Sequence, residues 1–246
     1  MMRALTVLGS IFLSASLCIA GPPSARAETE VDLELCLASD GSGSISTEEF
    51  AFQRRGFAAA IMSEEVQAAI ASGYRKRIAL GYMEWAGPTS MHPIVEWMEI
   101  DGPEAAAEFG ARLVAAPRVA MGYNSISEAI AFCQNWMETN DFVASRKVID
   151  VSGDAGQRGG RSLVTMRANA VAAGITINAI ALNFRGGGLS GPMGEPLIDH
   201  YRRDVIGGFG AFAIAVEEAH AFVDALKRKL VLEIASRPTP AQGAPG

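Results

Sequence analysis

The segment VDLELCLASDGSGS, residues 31–44, contains the pattern that decides the fold class of this chain. Residues 31–39 alternate between apolar and polar side chains before they end in an apolar run, which predicts a β-strand. Asp40, Ser42 and Ser44 follow at alternate positions of a glycine-rich loop. Their side chains can therefore converge on one point at the end of the predicted strand.

Strands and helices are predicted to alternate along the rest of the chain. A helix is predicted directly after the loop, because Ser46 and Glu49 match a capping box. Further strands are predicted at residues 77–86, 92–100, 147–153, 175–182 and 211–216. Further helices are predicted at residues 103–115, 125–138, 161–173 and 217–235, with an amphipathic stretch at 196–205. This alternation predicts an α/β fold with a doubly wound, mostly parallel sheet and helices on both faces.

The two ends of the chain are predicted to lie outside this domain. Residues 1–27 combine Arg3, an apolar run over residues 4–20 and a final Ala-x-Ala pattern, which predicts a cleaved signal peptide. An uncleaved membrane anchor is the alternative. Residues 236–246 (SRPTPAQGAPG) have no core-forming side chains and predict a disordered tail. We therefore expect one domain, residues 28–235, in a bacterial periplasm or secreted.

Composition limits the function classes. Of the 246 residues, 49% are hydrophobic and 20% are charged, which is enough for a packed core. The net charge is -6 and becomes -8 once the two arginines of residues 1–27 are removed, which argues against a nucleic-acid partner. Cys36 and Cys133 remain in the mature chain. They could pair, but their places in a strand and a helix favour two unpaired, buried side chains.

The loop after the first strand offers a set of oxygen ligands. The carboxylate of Asp40 and the hydroxyls of Ser42 and Ser44 suit a hard cation such as Mg²⁺, Ca²⁺ or Mn²⁺. An EF-hand calcium loop is one alternative, but Ala38 stands where its first acidic ligand belongs, and a strand precedes the loop. A serine hydrolase is another, but neither serine lies in a Gly-x-Ser-x-Gly elbow. A P-loop is excluded because the chain has no Gly-Lys-Ser/Thr sequence.

The Asp-x-Ser-x-Ser pattern at the end of a hydrophobic strand resembles the metal-ion-dependent adhesion site of von Willebrand factor type A (VWA) domains. Residues 122–130 (GYNSISEAI) resemble that family's second loop, with Asn124 where threonine is expected. Residues 148–154 (VIDVSGD) resemble the strand whose terminal aspartate completes the site, here Asp154. The segments VIDVSGD, AGITINAIAL and VIGGFGAF are more narrowly similar to exported bacterial VWA proteins of unassigned function. The resemblance extends over residues 31–235 and implies a Rossmann-like VWA fold.

The resemblance implies a metal site built from Asp40, Ser42, Ser44, Asn124 and Asp154. Mg²⁺, or Ca²⁺ or Mn²⁺ in its place, is the expected ion. Without a cation, repulsion between the two carboxylates is expected to raise the pKa of one of them. In the family, an acidic side chain of a partner protein completes the coordination shell. We therefore expect a non-enzymatic module that binds an unknown protein, with no nucleic-acid partner and no membrane span after signal cleavage.

The alternative is an envelope enzyme that uses the bound metal as a Lewis acid. Glu84, Asp150 and His200 are the candidates for its additional groups. The sequence has no evident general base or activated nucleophile beside the expected ligands, so the binding module is favoured.

Overall fold

The computed structural model of the chain describes residues 28–184 and 191–235. Its strands are β1 (Thr29–Val31), β2 (Glu34–Asp40), β3 (Ile78–Trp85), β4 (Met91–Ile100), β5 (Phe142–Ala144), β6 (Lys147–Gly153), β7 (Ile175–Leu182) and β8 (Ala213–Val216). Its α-helices are α1 (Thr47–Ile61), α2 (Glu64–Ala71), α3 (Pro103–Ala115), α4 (Ile126–Glu138), α5 (Leu163–Ala172), α6 (Leu197–His200) and α7 (Phe222–Ala235). A π-helical turn, Tyr201–Val205, follows α6, and a 3-10 turn, Ala219–Ala221, precedes α7.

Six strands form the central sheet, in the order β4-β3-β2-β6-β7-β8. Neighbouring strands are parallel except at one edge, where β4 runs antiparallel to β3. The chain moves outward from β2 to β4, returns to β6 beside β2, and then moves outward to β8 on the other side. The predicted doubly wound, mostly parallel sheet is confirmed. The topology reverses between β2 and β6, and ligands of such sheets bind at the carboxyl ends of the strands at this point.

Helices cover both faces of the sheet. Leu35 and Leu37 of β2 pack in the apolar cluster formed with α1, α2, α3 and α7, whereas Cys36 and Ala38 pack with α4 and α5. Every residue of β2 is buried, because a central strand of a parallel sheet has helices on both sides. The carboxylate of Asp40, at the end of this strand, is buried with it and requires polar partners.

Some element boundaries differ from the sequence prediction. The first predicted strand is split, because Thr29–Val31 pairs with β5 in a separate two-stranded sheet. Helix α2 is not among the predicted elements; Ser63 caps it by accepting the Val66 N–H. The helix predicted at residues 217–235 begins at Phe222. These differences leave the alternation of strands and helices intact.

Cys36 and Cys133 form a disulfide, so the expectation of two unpaired thiols is wrong. Cys36 lies on the face of β2 that α4 covers, and Cys133 lies on the buried side of α4. Their Cα atoms are 6.1 Å apart, within the range that a disulfide spans. A cysteine in a strand can pair with one in a helix when, as here, the helix packs directly on the strand. The bond ties the strand that ends at Asp40 to the helix that follows Asn124.

The predicted signal peptide, residues 1–27, and the predicted tail, residues 236–246, lie outside the described residues, as do residues 185–190 of a predicted loop. Among the helices of the described part of the chain, none has the length and apolar character needed to cross a membrane.

Candidate metal centre

Three loops meet where β2 and β6 end. The first loop, residues 41–46, joins β2 to α1; the second, residues 116–125, joins α3 to α4; the third, residues 154–162, joins β6 to α5. Asp40 ends β2 and Asp154 directly follows β6. Because β2 and β6 are parallel neighbours, both carboxylates lie at the same edge of the sheet.

The five residues predicted for the site are joined by a continuous chain of hydrogen bonds. Asp40 accepts the Ser42 N–H at Oδ1 over 2.8 Å and the Asn124 side-chain amide at Oδ2 over 2.7 Å. Asn124 Nδ2 also donates to Ser42 Oγ over 3.3 Å. Ser42 Oγ lies 2.9 Å from Ser44 Oγ, and Ser44 Oγ donates to Asp154 Oδ1 over 2.9 Å. The structure thus brings the five residues together, whereas metal binding by them stays a prediction.

The Asp40 end of the site is buried, whereas the Ser44 end is exposed to solvent. Asp40, Ser42 and Asn124 are buried, Asp154 is half-buried and Ser44 is exposed. Burial, followed by the nearby charge of Asp154, raises the pKa of Asp40 from 3.8 to about 7, although hydrogen bonds from Ser42 oppose the rise. The ionised form of Asp40 therefore has too little positive charge around it. A proton or a cation at this position relieves the deficit.

The amide of Asn124 is oriented differently from the oxygen ligand that the sequence analysis expects. Its Nδ2 atom faces the site and donates to both Asp40 and Ser42. Rotation of the amide by about 180° exchanges Nδ2 and Oδ1, since the two atoms are related by the planar geometry of the group. The donor set is then two carboxylates, two hydroxyls and one amide oxygen. This all-oxygen set fits a hard divalent cation.

Glycines allow the first two loops to pack against each other beside Asp40. A Cβ atom on Gly41 would lie 2.6 Å from the Cβ of Ala120, closer than non-bonded carbons approach. Gly122 has a φ of 119°, a conformation that other residues rarely adopt. Its carbonyl oxygen accepts the Gly43 N–H over 2.9 Å. The glycines of this region therefore set the distance between the two loops.

The third loop is held by residues outside the five predicted ligands. The Gln157 N–H donates to His200 Nε2 over 3.3 Å, and the Gln157 side chain exchanges two hydrogen bonds with Ser127 of α4. Tyr201 donates its hydroxyl hydrogen to the Ala155 carbonyl over 3.1 Å. No local motif links these residues, because they come from separate elements that meet only through packing.

Two of the three groups considered for an enzyme lie on the sheet face that α1 and α7 cover. Glu84 forms a buried ion pair with Arg54 of α1, with 2.7 Å between Oε1 and Nε. Asp150 lies 2.6 Å from the Nζ of Lys229 of α7, in a buried cluster that includes Glu233. Burial, followed by the charge of Asp150, raises the pKa of Glu233 to about 7. Glu84 is paired with Arg54, and Asp150 shares Lys229 with Glu233, so neither Glu84 nor Asp150 contributes to the candidate metal centre.

The third group, His200, belongs to a separate cluster beside the third loop. Potential ligand atoms of Glu195, His200 and Asp204 lie within 4.8 Å of one another. Arg203 Nη2 lies 2.7 Å from a Glu195 oxygen and 2.6 Å from an Asp204 oxygen, so one guanidinium already bridges both carboxylates and offsets part of their charge. His200 Nδ1 lies 2.8 Å from Asp204, while its Nε2 accepts the Gln157 N–H. The contacts of this cluster anchor the third loop.

Solved structures share the fold at low sequence identity. The pilus adhesin SpaC from Lactobacillus rhamnosus GG aligns with a TM-score of 0.62 at 10% identity, over 85% of this chain and 31% of that chain. Proximal thread matrix protein 1 from the mussel byssus, in a structure with a zinc-occupied MIDAS motif, aligns with a TM-score of 0.56 at 10% identity, over 83% and 46%. A von Willebrand factor type A protein from Catenulispora acidiphila aligns with a TM-score of 0.53 at 12% identity, over 83% and 43%. The chain thus spans about a third to a half of the length of these proteins.

A search among curated proteins found no match to the chain. A family described as "Protein of unknown function (DUF1194)" matches residues 30–238, which is most of the chain. The central sheet with helices on both faces agrees with the fold of the structures named above. The chain belongs to this family, and its fold is that of VWA domains.

Proposed function

We propose that this protein is an exported, non-enzymatic VWA-type module that binds a partner protein through a divalent cation. The cation ligands are Asp40, Ser42, Ser44, Asn124 and Asp154. The observation that carries the proposal is the hydrogen-bonded chain of these side chains between two carboxylates, one of them buried with a raised pKa. Such a chain has a surplus of negative charge and oxygen donors, which a hard cation neutralises.

Mg²⁺ is the proposed ion, with Ca²⁺ and Mn²⁺ as substitutes. Carboxylate, hydroxyl and amide oxygens are ligands that these cations prefer, whereas zinc sites in proteins more often use nitrogen and sulfur. A bound divalent cation would neutralise both carboxylates and act as an electrophile toward one further oxygen ligand. Ser44 and Asp154 are accessible from solvent, so that ligand would approach from their side.

The proposed partner protein presents an acidic side chain to the cation. The two carboxylates among the protein ligands balance the charge of a divalent cation. The five protein ligands still leave room for another oxygen, because Mg²⁺ takes six ligands and Ca²⁺ six to eight. A carboxylate supplies such an oxygen more strongly than water does. Partner binding should therefore require the cation and should be lost in EDTA.

Export is proposed from residues 1–27 as a cleaved signal peptide, ahead of a domain at residues 28–235 and a tail at residues 236–246. The disulfide between Cys36 and Cys133 supports this location. Disulfides persist in the periplasm and outside the cell but are rare in the reducing cytosol.

Calorimetric titration of the purified exported protein with MgCl₂ and MnCl₂ tests the proposal. We expect binding heat from the wild type and none from Asp154→Ala, which removes one carboxylate at the half-buried side of the site. Asp101→Ala is the matched control, because Asp101 is an exposed aspartate between β4 and α3. Equal titrations of the wild type and Asp154→Ala would overturn the metal site. Metal-dependent turnover of esters or phosphates that Asp154→Ala abolishes would overturn the non-enzymatic part of the proposal.

A further inference from the structure

Arg118, in the second loop, contacts the backbone of the first loop. Its Nη2 atom donates to the carbonyl oxygens of Gly41, Ser42 and Ile45, over 3.2, 3.0 and 2.9 Å. Three carbonyl oxygens of one loop thus converge on one terminal nitrogen of a charged guanidinium and share its two hydrogens. Hydrogen bonds from a charged donor are roughly twice as strong as those between neutral groups. This contact therefore fixes the orientation of the peptide groups on one side of the loop.

An aromatic ring fixes the guanidinium itself. The Cζ of Arg118 lies 4.6 Å from the centre of the Phe50 ring, and the Cζ of Arg54 lies 4.5 Å from the same centre. Phe50 is buried in the first turn of α1, directly after the loop. Arg54 also donates to the Pro117 carbonyl over 3.0 Å, next to Arg118 in the chain. A planar guanidinium can stack on a ring in this way, whereas the ammonium group of lysine cannot.

The peptide groups of the first loop are consequently held in a fixed orientation. Their carbonyl oxygens at Gly41, Ser42 and Ile45 point to Arg118. The N–H of Ser42 points instead to Asp40 Oδ1, and the Ser42 hydroxyl lies 2.9 Å from the Ser44 hydroxyl, which donates to Asp154. Rotation of one of these peptide groups would move the hydroxyls away from the carboxylates.

We infer that Arg118 is a positioning residue for the metal centre. It holds the carbonyls of the first loop on the outer side and thereby orients the hydroxyls of Ser42 and Ser44 toward the cation, without binding the cation itself. The inference rests on the proposed function for its metal readout, but the orientation of the loop can be measured without metal.

Removing Arg118 should change the metal affinity in opposite directions, depending on whether Arg118 acts by positioning the ligands or only through its charge. Arg118 is a positive charge close to a cation site, so if charge alone mattered, removing it would strengthen metal binding. If Arg118 positions the hydroxyl ligands, removing it weakens metal binding. Residues that orient metal ligands typically change affinity by about 10- to 100-fold when mutated.

The experiment compares Arg118→Gln, Arg118→Lys and Arg158→Gln by calorimetric titration with MnCl₂, with thermal melting to verify folding. We expect Arg118→Gln to weaken Mn²⁺ binding by about tenfold or more. Arg118→Lys should weaken it less, because an ammonium group can still donate hydrogen bonds to the loop carbonyls although it cannot stack on Phe50. Arg158→Gln is the matched control: Arg158 is an exposed arginine of the third loop, so its loss should leave the affinity unchanged or slightly higher. A titration of Arg118→Gln that matches Arg158→Gln would overturn the inference.

Hydrogen exchange in EDTA gives a second readout. The Gly43 and Ile45 amides are hydrogen-bonded within the loops, to Gly122 and Ser42 carbonyls, and should exchange faster in Arg118→Gln than in the wild type. If the wild type binds no metal but exchange at these amides accelerates, the proposed function fails and the positioning role stands. If metal binds and neither exchange nor affinity responds to Arg118→Gln, the positioning role fails and the proposed function stands.

Discussion

Replacing Asp40 by asparagine should stabilise the metal-free protein, and by more at pH 8 than at pH 5. The pKa of Asp40 is about 7 in the folded protein, against an ordinary value of 3.8 in an unfolded chain. Between these values the folded state binds more protons than the unfolded state, so the free energy of unfolding falls as the pH rises from about 4 to about 7. At about 1.4 kcal/mol per pH unit, the loss is at most roughly 4 kcal/mol. Asparagine has no charge to bury and escapes this loss.

Urea unfolding in EDTA at pH 5 and pH 8, followed by tryptophan fluorescence, measures the effect. We expect the wild type to lose more stability than Asp40→Asn between the two pH values, with the variant more stable at pH 8 by a few kcal/mol. Glu233 also has a raised pKa, but it titrates in both proteins and its contribution cancels in the comparison. Mg²⁺ at 100 times its Kd should narrow this difference, because it stabilises a protein that binds it by about 2.7 kcal/mol. Parallel pH profiles of the two proteins in EDTA would show that Asp40 does not titrate with a raised pKa in the folded protein.

The remaining predictions concern the framework of the site. Replacing Cys36 and Cys133 together by alanine should lower the free energy of unfolding by about 2–4 kcal/mol, measured by urea unfolding, because the bond closes a long loop; an unchanged midpoint would contradict this. Gly41→Ala should weaken Mn²⁺ binding, measured by calorimetry, because the added Cβ clashes with the second loop. Gly43→Ala should leave binding unchanged, since a Cβ there meets nothing closer than 3.6 Å. Equal effects of the two substitutions would contradict the prediction that close packing of the two loops supports the site. Lys229→Met should destabilise the fold by about 3–5 kcal/mol, because it leaves the buried carboxylates of Asp150 and Glu233 without their cation. The loss should be larger at pH 8 than at pH 5. Urea unfolding at both pH values measures it, and an equal loss at both would contradict the prediction.

The fold class could be predicted from the sequence because parallel strands buried on both faces leave a clear pattern of apolar runs between helices. The place of the candidate site could be predicted from the same pattern, since Asp40 ends one such strand and Asp154 directly follows another. The short helix α2 was missed because its eight residues leave little periodicity to detect. The disulfide was missed because the sequence does not reveal that α4 packs on the face of β2 where Cys36 lies.

The residues that support the site were also beyond the reach of sequence reasoning. Arg118 donates to three backbone carbonyl groups, and because every residue has such a group, the sequence does not indicate which ones an arginine contacts. His200 and Gln157 meet only because α6 packs beside the third loop. The orientation of the Asn124 amide depends on which partner it faces, so the residue type alone leaves it undetermined.

We propose that three loops of this fold hold one hard cation between two carboxylates. Anomalous diffraction from crystals of the exported protein grown with MnCl₂ can locate such a cation. We expect a manganese peak within coordination distance of Asp40, Ser42, Ser44 and Asp154, with the Asn124 amide rotated so that its oxygen faces the ion. A map without a peak there, in which Asn124 Nδ2 still donates to Asp40, would contradict it.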